Sequence, residues 1–103
     1  MKDLSLCTLF DRYAPILKQK PREAFHLYYN EDYSLSEIAE ITGTSRQAVR
    51  DLITRTAEEL KSMEAALKLL QKEEALVSSC EKIKRAHPDL NAELDALIAL
   101  IKE

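Results

Sequence analysis

From Ser45 to Thr54 the chain reads SRQAVRDLIT, and its two arginines, Arg46 and Arg50, stand four apart, a spacing that sets side chains on successive turns of one helix face. An arginine there can donate a bidentate pair to guanine, and a glutamine such as Gln47 can bond adenine. Ser45, together with the free N–H groups at the amino end of a helix, suits a phosphate. With Val49 turned inward and about 100° per residue, the outward face carries Gln47, Arg50, Asp51, Thr54 and Glu58, with Arg46 near the helix start. The candidate nucleic-acid contacts are therefore Ser45, Arg46, Gln47, Arg50 and Thr54. Structural uses compete for two of them, since Gln47 can close a cap with Thr44 and Arg50 can pair with a carboxylate. Asp51 and Glu58 on the same face repel phosphates, which argues against tight nonspecific DNA binding.

Other groups point less sharply to chemistry. Lys18, Lys20 and Arg22 form a secondary basic cluster able to meet a nucleic-acid backbone or an acidic partner, as do Lys82, Lys84 and Arg85. Both groups are equally well read as solvated helix faces. Tyr28 and Tyr29 could stack on bases, but their helix faces the core and packing is the better reading. His26 and His87 are isolated from other ligand types, and Cys7 and Cys80 lie far apart without metal spacing, so no metal site and no disulfide is expected. The chain has no Gly-rich phosphate loop, no nucleophile motif and no convergent carboxylate pair. No catalytic residue and no cofactor is assigned.

The elements that must hold Arg46 and Arg50 are legible around Gly43, the one glycine of the chain. Ser34 with Glu37, and Thr44 with Gln47, are spaced as capping boxes at the starts of two helices. Gly43 between them can take the left-handed conformation that ends the first helix, and Ala39 is small enough for close helix approach. Leu35 to Ile53 thus reads as a helix-turn-helix. Ahead of it, Leu4, Leu6, Leu9, Phe10, Tyr13 and Leu17 make an amphipathic helix disturbed by Pro15, and a second helix begins near Pro21. The expected core includes Leu9, Phe10, Phe25, Tyr28, Leu35, Ile38, Ala39, Val49, Leu52 and Ile53.

After Leu52 no Gly or Pro occurs until Pro88, and Leu60, Met63, Leu67 and Leu70 recur in threes and fours like a heptad seam. The spacing predicts that the fourth helix runs on, with a kink or new start near Glu73 and Glu74. A head of this size cannot cover so long a stripe, so Leu60, Met63, Leu67 and Leu70 are assigned to a homodimer seam. Beyond Pro88, Leu90, Leu94, Leu97, Ile98 and Ile101 make a last helix that folds back on Leu76 to Ile83 as a hairpin or pairs with a second chain. The expected architecture is all-α, without a wing: a helix-turn-helix domain at 1–62, and a helical dimerisation and interaction tail at 63–103 continuous with it.

Composition sets outer bounds. The 103 residues are 46% hydrophobic and 32% charged with net charge −3, which fits a small helical protein and disfavours a surface built wholly for polyanions. Between Met1 and Ser62 there are nine basic and ten acidic residues, so any nucleic-acid contact must be local. The apolar runs fall short of a membrane span and the start, MKDLSLCTLFDR, lacks the pattern of a signal peptide, so no membrane insertion and a cytoplasmic location are expected.

The segment Leu9 to Lys72, marked by LYYNEDYSLSEIAE and then SRQAV, resembles the YlxM family of small bacterial helix-turn-helix proteins. That family is similar to region four of bacterial sigma factors and is associated with the signal recognition particle pathway. The resemblance implies a regulatory or accessory role there, with Ser45, Arg46, Gln47 and Arg50 as recognition-helix contacts. Two functions follow: a nucleic-acid-binding regulator that reads DNA or the particle's RNA, and a protein-interaction accessory that holds the particle's GTPase. The resemblance does not extend past Lys72.

Overall fold

In the computed structural model, residues 3–103 are described. They form six α-helices, with no strand among the described residues: α1 (Leu4–Tyr13), α2 (Gln19–Tyr29), α3 (Leu35–Thr42), α4 (Arg46–Leu67), α5 (Leu69–Ala86) and α6 (Asn91–Lys102). Short 3₁₀ turns at Ala14–Ile16 and Pro88–Leu90 carry the prolines that interrupt the flanking helices. The chain divides into two compact units, Met1–Leu67 and Lys68–Glu103, five residues beyond the boundary expected at Ser62.

The first unit is a head in which α1, α2 and α3 all pack on α4. Its core joins Leu6, Phe10 and Tyr13 of α1, Phe25 of α2, Ile38 of α3 and Val49, Ile53 and Leu60 of α4. Phe10, Phe25 and Tyr29 stack in sequence, with ring centroids 4.9 and 4.4 Å apart. Every residue expected in the core is buried or packed against it. Thr56 is also buried, its hydroxyl satisfied by donating to the Leu52 carbonyl at 2.7 Å.

Lys68, with φ 54, takes a left-handed conformation and ends the helical run, five residues before the expected kink at Glu73. This corrects the continuous seam. Leu60 is fully buried and Met63 packs on the head core, so α1 and the rest of the head already cover that part of the stripe. Leu67 is exposed at the end of α4, while Leu70 lies half-buried on α5. Leu60 and Met63 are thus committed to the head's own core rather than to a second chain.

In the second unit α5 and α6 form the expected hairpin, turned at Pro88. Cys80 and Leu94 are its buried apolar side chains, and Lys84 on α5 pairs with Asp95 on α6. Both cysteines are free thiols, Cys80 buried and Cys7 half-buried.

Candidate nucleic-acid interface

The geometry around Gly43 follows from its local chemistry. At the start of α3, Glu37 N–H donates to Ser34 Oγ and Ser34 N–H donates to Glu37 Oε1, both at 3.0 Å, completing a capping box. These bonds from the Ser34 backbone and side chain hold the Glu37 carboxyl below its ordinary range. At the other end Gly43 sits at φ 69 as the left-handed cap, its N–H donating to Ala39 O. Ala39 is buried beneath it, and Thr42 Oγ1 ties back to Ile38 O at 2.8 Å.

The second box, expected from Thr44 and Gln47, does not form. Ser45 caps α4 instead, its Oγ accepting from Ala48 N–H at 3.0 Å, while Thr44 Oγ1 is 2.9 Å from Thr42 Oγ1. Gln47 is released from capping and donates from Nε2 to Asp51 Oδ1 at 2.9 Å, one turn along. The Ser45 hydroxyl keeps its own hydrogen to donate to a phosphate oxygen.

Arg46 and Arg50 are both exposed, and among the described residues neither guanidinium is ion-paired to a carboxylate. They stand beside the free N–H groups of the α4 amino end, where the helix dipole adds positive potential. Thr54 is exposed one turn past Arg50, and with Arg50, Tyr28, Tyr29 and Leu35 it borders a shallow pocket of about 270 Å³. Tyr29 stacks on Phe25, and burial pushes its phenol pKa up, so it acts as a core ring. Asp51 lies on the same face, but its carboxylate is engaged by Gln47.

Lys18 and Lys20 lie toward a different flank of α4 from Arg46, although Lys20 also shares a groove with Thr44 and Ala48 at the α4 amino end, and Arg22 is half-buried on α2. Lys18 and Lys20 line a groove of about 510 Å³ with Leu52, Arg55 and Glu59 of α4. Helical rotation sets Arg55 about 180° around α4 from Arg46, on the opposite flank. Arg55 was absent from the sequence-based contact set. A lysine cluster near Pro21 with an arginine on the fourth helix was the available signal, but only the tertiary packing of α2 on α4 unites them. Its Nε donates to Asp51 O at 3.4 Å.

His26 Nε2 lies 3.2 Å from Glu31 on an exposed helix end, and His87 ends α5. No group of three or more His, Cys, Asp or Glu side chains able to hold a metal occurs among the described residues. Nor is any described helix long and apolar enough to cross a membrane.

The model of the UPF0122 family, described as helix-turn-helix, YlxM/p13-like, matches residues 1–100. A UPF0122 protein of Symbiobacterium thermophilum is 38% identical over 106 residues, covering 100% of this chain and 99% of the relative. One from Clostridium botulinum is 41% identical over 88 residues (82% of this chain, 81% of the relative), and one from Mycoplasma capricolum 46% over 83 residues (81% and 74%).

Proposed function

Because the chain belongs to the UPF0122 family of YlxM/p13-like helix-turn-helix proteins, we propose that it is a non-enzymatic regulatory protein that binds DNA or RNA through the amino end of α4. The observation that carries this reading is the pair Arg46 and Arg50: exposed, unclaimed by carboxylates, and beside a helix amino end. Arg46 and Arg50 meet phosphates or guanine edges, Ser45 donates to a phosphate, and Gln47 reads a base only by exchanging Asp51 for adenine. Thr54 sits at the edge of the footprint. Lys18, Lys20 and Arg22 are secondary contacts, with Lys20 nearest the footprint through the groove that it shares with Thr44 and Ala48. The protein acts in the cytoplasm as a homodimer, with a DNA site or the RNA of the signal recognition particle as its ligand.

The second reading is an accessory that holds the particle's GTPase. It is favoured by the head's charge balance of nine basic against ten acidic residues from Met1 to Ser62. Crosslinking the tagged protein in cells, then sequencing bound DNA and RNA separately and identifying bound proteins, separates the two. Recovery of a defined RNA or DNA that is lost with Arg46→Ala/Arg50→Ala supports the first reading. Equal recovery by the parent and the double variant, with one protein partner retained, replaces it by the second.

A further inference from the structure

The hairpin leaves most of its apolar surface uncovered. Leu69, Leu76 and Ile83 of α5, with Leu90, Leu97 and Leu100 at and along α6, are 39–66% exposed. We propose that this face docks on the same face of a second copy, making a four-helix bundle of two hairpins. The inference deepens the dimeric part of the reading above and is independent of its nucleic-acid part.

The exposed residues form one surface. Leu69, Leu76 and Ile83 recur every seven positions, as do Leu90 and Leu97, so each set keeps to a nearly straight line along its helix. On α5 this line is rotated to one side of Val77, Cys80 and Lys84, which turn toward α6. On α6 it is rotated in the same sense from Leu94 and Ile98. In two antiparallel helices, equal rotations bring both lines to the same side of the pair. The result is an apolar face beside the inner seam.

Size and charge identify the occupant. A unit of 36 residues that buries only Cys80 and Leu94 among its described apolar side chains has too little core to order itself, since units below about 40 residues usually need a staple or a partner. The six exposed side chains offer on the order of 500 Å² of apolar surface per copy, so two copies reach roughly the 1,000 Å² of a specific interface. Lys68 and α5 together hold five basic and three acidic residues, whereas Pro88–Glu103 holds one basic and four acidic. A two-fold axis along the hairpins sets each α5 over the other copy's α6 and joins opposite charge to opposite charge.

Light scattering and sedimentation of the intact chain at micromolar concentration test the proposal. The parent is expected to be a dimer. Leu76→Lys/Leu97→Lys should weaken association at least about tenfold, because charge enters a desolvated face. Ile41→Lys, at an exposed apolar position of the head, should leave the dimer intact. Should the lysine pair melt the hairpin, the milder Leu76→Ala and Leu97→Ala decide, since each should weaken self-association several-fold with helicity retained. A monomeric parent overturns both the interface and the dimeric reading. A dimer that withstands the lysine pair and both alanine variants overturns the interface alone.

Discussion

The head and the hairpin draw on the same amphipathic helices but bury them differently. Among the described residues, eleven apolar side chains join the head's core cluster, while the hairpin buries Cys80 and Leu94. The head closes because three helices converge on α4, giving every apolar stripe a partner. The hairpin has two helices, and each can hide only the stripe that faces the other. A self-sufficient core leaves α4's outer face free to carry Arg46 and Arg50. An insufficient one turns its remaining apolar surface into a place for another chain.

Core truncation should break the contrast most strongly. Phe25→Ala removes a fully buried ring stacked between Phe10 and Tyr29, and should cost about 3–5 kcal/mol, enough to unfold a small domain. Chemical denaturation followed by tyrosine fluorescence reads this, since all four tyrosines lie in the head. Leu94→Ala should instead lose hairpin helicity and leave the tyrosine transition in place. A shared loss in both variants would mean that the two units unfold as one.

The two left-handed caps sharpen the same comparison. A Cβ at Gly43 would meet no atom within 4 Å, so Gly43→Val carries a backbone cost alone, about 1–2 kcal/mol, seen as a lower melting temperature. Lys68 holds φ 54 with a Cβ already present, so Lys68→Gly should stabilise the chain by about 1 kcal/mol rather than harm it. If Lys68→Gly destabilises instead, the break between α4 and α5 is not where the strain lies.

These two caps also mark what the sequence could and could not reveal. Gly43 was legible because glycine, a preceding alanine and the Ser34 box agree on one turn. Lys68 was not, because lysine is a good helix former and no local residue warns of a left-handed turn. Leu60 and Met63 were misread for a related reason: periodicity reports that a stripe is covered, not what covers it. The Thr44 box failed by a single position, where Ser45 offered a second hydroxyl. Arg46 and Arg50 could be placed on one face from spacing alone. That Gln47 would engage Asp51 rather than a cap, and that Arg55 would join Lys18 and Lys20, required the packed helices.

A smaller effect lies in the pH dependence of the head. The Ser34 bonds lower the Glu37 pKa on folding, so their contribution is present above the ordinary carboxylate range and lost as pH falls through it. Glu37→Gln keeps an acceptor for the Ser34 N–H and removes the titration. Its melting temperature should therefore fall less steeply in acid than the parent's, and identical acid limbs would contradict the capping account.

The central claim, that the amino end of α4 is a nucleic-acid contact, is tested most directly by the salt dependence of RNA and DNA binding in the parent and in Arg46→Ala/Arg50→Ala. Two arginines on a mixed-charge face neutralise few phosphates, so the logarithmic slope should be shallow, about −1 to −4 per protomer. The double variant should lose most of both slope and affinity with its thermal melt nearly unchanged, because both side chains are exposed. A double variant that binds with the parent's affinity and slope would contradict the claim.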